Sequence, residues 1–111
     1  MHAHAPHNIG RLKKPTMRLH GTNAHCGDDI TIELMLSNTG VITDCLWQGS
    51  GCAISRAAAS ILTDYMKGKK FTTIQHMKSE AFLKLLQTEL SPARITCALL
   101  PLFTIKSQPH A

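Results

Sequence analysis

The chain is poor in aromatic residues, with one Trp, one Tyr and three Phe in 111 positions. A core of stacked rings is thereby excluded, and Leu, Ile, Ala and Met must supply the buried volume. No run of about 18 apolar residues occurs, which excludes a membrane-spanning helix. The opening Met-His-Ala-His-Ala-Pro-His lacks the apolar centre of a secretory signal, so a cytoplasmic location is expected. Acidic residues are also scarce, seven against twelve Lys and Arg, for a net charge of +5. The basic residues are scattered and no aromatic stripe interleaves them, so nucleic-acid binding is not expected. An acidic protein partner suits the same charge. There is no C-x-x-C pair, so cysteine spacing alone is a weak sign of a metal site.

What is present describes a single domain over residues 1–111, with residues 1–7 as a flexible tail carrying His2, His4 and His7. A monomer is the expected state for this size. Residues 16–20 suit a short edge strand, and the polar, Gly-rich stretch 21–29 reads as a loop. Ile30, Ile32, Leu34 and Leu36 alternate with polar residues, predicting a half-buried strand. Ser37-Asn38-Thr39-Gly40 is a hairpin turn, and 41–48 the return strand. Its inward face is predicted as Thr43, Cys45 and Trp47, which makes Cys45 a core residue.

A helix is predicted over 52–67, with Ile54, Ala57, Ala58, Ile61, Leu62 and Tyr65 as its apolar stripe and Gly68 as its stop. A brief turn capped by a Thr/Gln pair follows at 72–75. A helix capped by Ser79 runs to residue 89, with Phe82, Leu85, Leu86 and Leu90 inward. Ser91-Pro92 starts the last helix, to about residue 106. Pro101 within it either kinks the turn carrying Cys97 or ends the helix near Leu100. The fold class is α+β, an antiparallel sheet with helices packed on it.

Four cysteines are present: Cys26, Cys45, Cys52 and Cys97. Without a secretory signal, metal or sulfur chemistry suits them better than bridging. Cys52 follows Gly49-Ser50-Gly51 at a helix start, where unpaired N–H groups and the helix dipole favour a thiolate. Cys26-Gly27-Asp28 places a sulfur and a carboxylate in one tight loop. With Cys52 and Cys97 they make three sulfurs and one oxygen, a set that suits tetrahedral zinc or an iron–sulfur cluster. The competing reading is four unrelated buried cysteines. Asp28, the harder ligand, would yield before a thiolate and so act as the gate for ligand exchange. His25 is either a spare ligand or a solvated loop residue. Arg94, one turn before Cys97, either supports its thiolate or faces solvent.

The ordered motifs G-T-N-A-H-C-G-D-D-I, G-S-G-C-A-I-S-R-A-A-A-S-I-L-T-D-Y-M-K-G-K and P-A-R-I-T-C-A-L-L-P-L, with an early H-N-I-G, resemble the NifU/IscU/SufU family of iron–sulfur cluster assembly scaffolds. The resemblance spans nearly the whole chain, roughly residues 7–105. It implies a three-stranded antiparallel sheet with helices packed on it. It carries the ligand roles onto Cys26, Asp28, Cys52 and Cys97, and leaves Cys45 in the core. It implies zinc or a nascent [2Fe–2S] cluster at the site. It also implies sulfur accepted as persulfide, on Cys26 or Cys97, from a pyridoxal-phosphate-dependent cysteine desulfurase, and recipient apo iron–sulfur proteins or carriers. Such a protein is a scaffold and carrier rather than an enzyme in the strict sense, though a zinc-dependent sulfurtransferase is a defensible description. The alternative from another class is a structural zinc module without sulfur transfer.

The Cys52 and Cys97 motifs are similar to the SufU branch, whereas the short segment 69–96 is similar to the IscU branch. The IscU branch places His before its last cysteine, where this chain has Thr96. Its Leu-Pro-Pro-Val-Lys motif is replaced here by Leu90-Ser91-Pro92-Ala93-Arg94.

Overall fold

The computed structural model describes residues 6–23, 27–87 and 90–106. The expectations for His2, His4, His25, Cys26 and Glu89 lie outside the described residues. The elements, in order, are β1 (Met17–Asn23), β2 (Asp28–Leu36), β3 (Ile42–Ser50), α1 (Ala53–Met66), α2 (Phe71–Gln75), α3 (Ser79–Leu86) and α4 (Pro92–Lys106). The strands form one antiparallel sheet in the order β1-β2-β3. The class is α+β, as the alternating pattern of residues 30–36 and the later helical periods imply.

The sheet buries one face against the helices. Leu19, Ile30, Ile32, Leu34, Cys45 and Trp47 point inward and join Ala58, Leu62 and Met66 of α1 and Leu99, Leu102 and Ile105 of α4 in one core. Each strand supplies alternate residues because successive side chains point to opposite faces. Thr43 breaks the predicted alternation. Met35 pairs with Asp44 but Leu36 pairs with Ile42, so Thr43 is the extra residue of a β-bulge. Thr43 is exposed, and Ile42 takes the inward place.

β1 and β2 extend further than the sequence predicts. Gly21–Asn23 pair with Asp28–Ile30, so most of the stretch read as a loop is strand at both ends. The polar residues there are tolerated because they lie on the solvent face or in the site. The buried face of α1 is rotated from the predicted stripe. Ser55, Ala58, Ala59, Ser60, Leu62, Thr63 and Met66 are buried, while Ile54, Ala57, Ile61 and Tyr65 are only half-buried. Small residues line the inner face, where α1 packs against α4 and β3, and the bulkier ones flank it. Neither α2 nor α3 has a side-chain N-cap. The N-caps are Lys70 and Lys78, so the predicted Thr/Gln and Ser79 caps do not form. α3 stops at Leu86 because Gln87 takes a left-handed conformation (φ 53°). Of its predicted inward residues only Phe82 is fully buried; Leu85, Leu86 and Leu90 are half-buried. α4 runs continuously through Pro101, which excludes an end near Leu100.

The amino-terminal segment is not a tail from residue 7 onward. His7 N–H donates to Ser60 Oγ at 2.7 Å, and its ring meets Asp64 at 2.6 Å. Asn8 bonds Thr63 and Asp64 and accepts from Lys67. Its carbonyl takes the Trp47 N–H, Gly10 N–H donates to the Trp47 carbonyl, and the Trp47 indole donates to the His7 carbonyl. Leu12 N–H then reaches Glu33 Oε1 across the outer sheet face. Glu33, an outward-facing position by alternation, is buried for this reason. The strap ties α1 to β3 and β2 at the end of α1 opposite Cys52.

Candidate metal centre

Three elements meet where β2 starts, α1 starts and α4 passes. Asp28 is the first residue of β2, Cys52 the residue before α1, and Cys97 lies in the second turn of α4. One ligand atom from each lies within 4.8 Å of the other two. Asp28 and Cys97 are buried, and Cys52 is half-exposed. The sequence-predicted ligands Asp28, Cys52 and Cys97 are therefore brought together from positions far apart in the chain. Cys45 is not among them. It lies in the core, its thiol donating to the Thr63 carbonyl at 3.2 Å, and burial pushes its pKa up to about 12. A thiol so held is unsuited to ligate metal or accept sulfur.

The carboxylate of Asp28 is divided between two tasks. Oδ1 accepts the backbone N–H of Cys52 at 2.9 Å, and Oδ2 lies 3.6 Å from Cys52 Sγ. The Cys52 thiol makes no capping bond to α1. Asp28 thus satisfies the N–H of the residue that opens the helix, and Cys52 directs its sulfur toward Oδ2. Gly51 makes this approach possible. A Cβ there would stand 2.1 Å from Asp28 Oδ1, and its φ of +146° suits glycine. Gly49 serves differently: a Cβ there would meet the Asp29 carbonyl at 2.4 Å, so it allows close pairing of β3 with β2. The two glycines that flank Ser50 thus have separate roles.

The donor set fits a tetrahedral metal ion. Zn–S near 2.3 Å and Zn–O near 2.1 Å at a tetrahedral angle separate sulfur and oxygen by about 3.6 Å. The Cys52–Asp28 separation has that value. Two sulfurs and one oxygen leave a fourth position, as Cys26 would fill by sequence. The Cys97 sulfur is in the disulfide form here, so metal loading calls for reduced protein. Arg94 is exposed, with no ion pair to an acidic side chain among the described residues. Two supporting groups were not singled out by sequence reasoning. Ser55 is 5% exposed and donates to the Cys52 carbonyl at 3.1 Å. Asn8 anchors the far end of α1; its place in the early H-N-I-G was the available signal.

The fold and site together define a small α+β protein with a cysteine–carboxylate centre gathered at one end of its sheet. The model of the NifU-like N terminal domain matches residues 1–108, and the chain belongs to that family. Among curated relatives, the iron–sulfur cluster assembly scaffold protein IscU of Rickettsia prowazekii is 30% identical over 96% of this chain and 82% of its own length. IscU of Buchnera aphidicola subsp. Schizaphis graminum is 29% identical over 96% of this chain and 84% of its own. The fold is shared with a crystal structure described as an assembly scaffold for the SUF system from Fervidobacterium islandicum, at TM-score 0.75 and 21% identity, covering 91% and 85% of the two chains. The amino-terminal part of a NifU-like protein from Brucella abortus gives TM-score 0.75 at 20% identity, covering 95% and 84%.

Proposed function

We propose that this protein is an iron–sulfur cluster assembly scaffold that also accepts sulfur. The observation that carries the reading is the convergence of an Asp28 carboxylate oxygen, Cys52 Sγ and Cys97 Sγ from three elements, in a chain whose relatives are named IscU. Asp28, Cys52 and Cys97 hold the metal ion or the nascent [2Fe–2S] cluster, and Cys26, two residues before Asp28, completes the set. Zinc would act there as a Lewis-acidic ion that keeps the thiols deprotonated. The cluster is cargo, built on the site and passed to recipient apo proteins or carriers.

Sulfur arrives from a pyridoxal-phosphate-dependent cysteine desulfurase. A reduced thiolate of Cys26 or Cys97 attacks the outer sulfur of the desulfurase persulfide. A new S–S bond forms on this chain, and the desulfurase leaves as its thiolate. Cys45 is excluded from this role by its burial and raised pKa. Cys52 is half-exposed and borders solvent.

The test is elemental and acid-labile sulfide analysis of reduced, untagged protein purified without oxygen, followed by a desulfurase assay. Iron with matching sulfide identifies a cluster scaffold. Zinc near one per chain with faster sulfide release identifies a sulfur relay. Zinc with no effect on the desulfurase identifies a structural zinc module and overturns the proposal.

A further inference from the structure

We infer that Ser55 is a positioning residue for the metal centre, holding Cys52 in place and donating its hydroxyl to the Cys52 sulfur when that sulfur is a thiolate ligand. The inference rests on Asp28, Cys52 and Cys97 being the metal ligands. The Ser55 hydroxyl lies 3.1 Å from the Cys52 carbonyl and 3.9 Å from Cys52 Sγ. It is therefore within a rotation of either. The Cys52 carbonyl also accepts the Arg56 N–H at 3.3 Å, so it stays bonded when the hydroxyl turns away. The other group bonded to Cys52 Sγ among the described residues is Asp28 Oδ2, an acceptor that cannot donate to a thiolate. Ser55 is thus the hydroxyl donor placed for that sulfur.

Local structure explains why a serine is required. Cys52 precedes α1 with no side-chain capping bond to the helix backbone, so its sulfur can face Asp28 and Cys97 while staying in reach of Ser55. Its backbone is then fixed from both sides, by Asp28 at the N–H and by Ser55 at the carbonyl. Outer groups that hydrogen-bond a metal ligand orient it and tune its donor strength. A hydrogen bond to a ligating thiolate withdraws electron density and moves sulfur-to-metal charge transfer to higher energy. A small hollow bounded by Ser55, Ser50 and Trp47 adjoins the serine, so threonine is the conservative replacement.

The experiment is cobalt(II) titration of the full, reduced chain as wild type, Ser55→Ala and Ser55→Thr, with zinc competition and apo-protein melting alongside. Ser55→Ala is expected to move the sulfur-to-cobalt band to lower energy and weaken zinc binding about 10-fold, the lower end of outer-group effects. Ser55→Thr restores both. An unmoved band in Ser55→Ala overturns the inference, even if the apo protein melts lower, because that pattern is loss of a helix-end bond alone. A wild type without a sulfur-to-cobalt band overturns the ligand reading itself, and this inference with it.

Discussion

In the proposed site Asp28 is a ligand and a structural cap at once, and single substitutions separate the two. Asp28→Ala removes the bond to the Cys52 N–H as well as the metal-facing oxygen. The apo protein is expected to lose about 1–2 kcal/mol, the scale of a lost cap or buried hydrogen bond. Asp28→Asn keeps an acceptor at Oδ1 and loses less, which urea unfolding of the two apo variants would show. If Asp28 is the exit side of the site, both variants also hold metal longer than wild type, as chelator-competition half-lives would report; shorter half-lives would remove the gate.

Cys45 gives a pH-dependent contrast. Its folded pKa of about 12 lies above the ordinary 9.0, so only the unfolded chain releases this proton between those values. The contribution is complete below pH 9 and declines as pH rises toward 12. Cys45→Ala is expected to cost about 1 kcal/mol at neutral pH and to leave metal content unchanged. Its deficit against wild type should shrink above pH 9 in denaturation curves. A constant deficit would mean that the buried thiol does not titrate as its surroundings imply.

At the scale of elements, α1 is held at both ends by residues outside it. At its start, Gly51→Ala would place a Cβ against the Asp28 carboxylate and push it from the site. The apo protein is expected to lose about 1 kcal/mol or more, because alanine is strained at that backbone and the Asp28 bond to the Cys52 N–H is displaced, as urea unfolding would show. At its far end, Asn8 adopts φ 66° and bonds Thr63, Asp64 and Lys67. Asn8→Ala loses these bonds and the residue type that tolerates a left-handed backbone, whereas Asn8→Gly loses only the bonds. Thermal melting should rank wild type, Asn8→Gly and Asn8→Ala in falling order. Equal melting of all three would mean that the strap contributes nothing to holding α1.

The molecule as a whole has an apolar core built without the candidate metal ligands. Trp47, Ile32, Leu34, Leu62, Met66, Phe82 and Leu102 are fully buried, and none of them is a candidate ligand. The reduced apo protein is therefore expected to fold, and metal to add stability by binding the folded state. Free zinc at 100 times its dissociation constant adds about 2.7 kcal/mol. Cys52→Ala and Cys97→Ser should abolish this increment, and Cys45→Ala should keep it, as melting with and without chelator will show. An apo protein that is unfolded would place the zinc in the structural class instead. No helix among the described residues is long and apolar enough to cross a membrane.

Much of this protein is local and was determined by sequence. The alternation of Ile30 to Leu36, the Ser37–Gly40 turn, the start of α4 at Ser91-Pro92 and the stop at Gly68 each depend on neighbours within a few positions. So does the core place of Cys45. The motifs around Cys52 and Cys97 likewise marked the ligand candidates and the family. What tertiary structure decided depends on groups distant in the chain. The bulge at Thr43 arises from pairing with Met35 and Leu36, and the rotation of the α1 face from packing against both α4 and β3. The strap looked like a tail because its bonds run to Trp47, Thr63 and Asp64, some 40 to 57 positions away. The need for Gly51 follows from Asp28, and the place of Ser55 from the sulfur that Asp28 turns. These are contacts between surfaces that exist only once the chain has folded, and periodicity along the sequence carries no record of them.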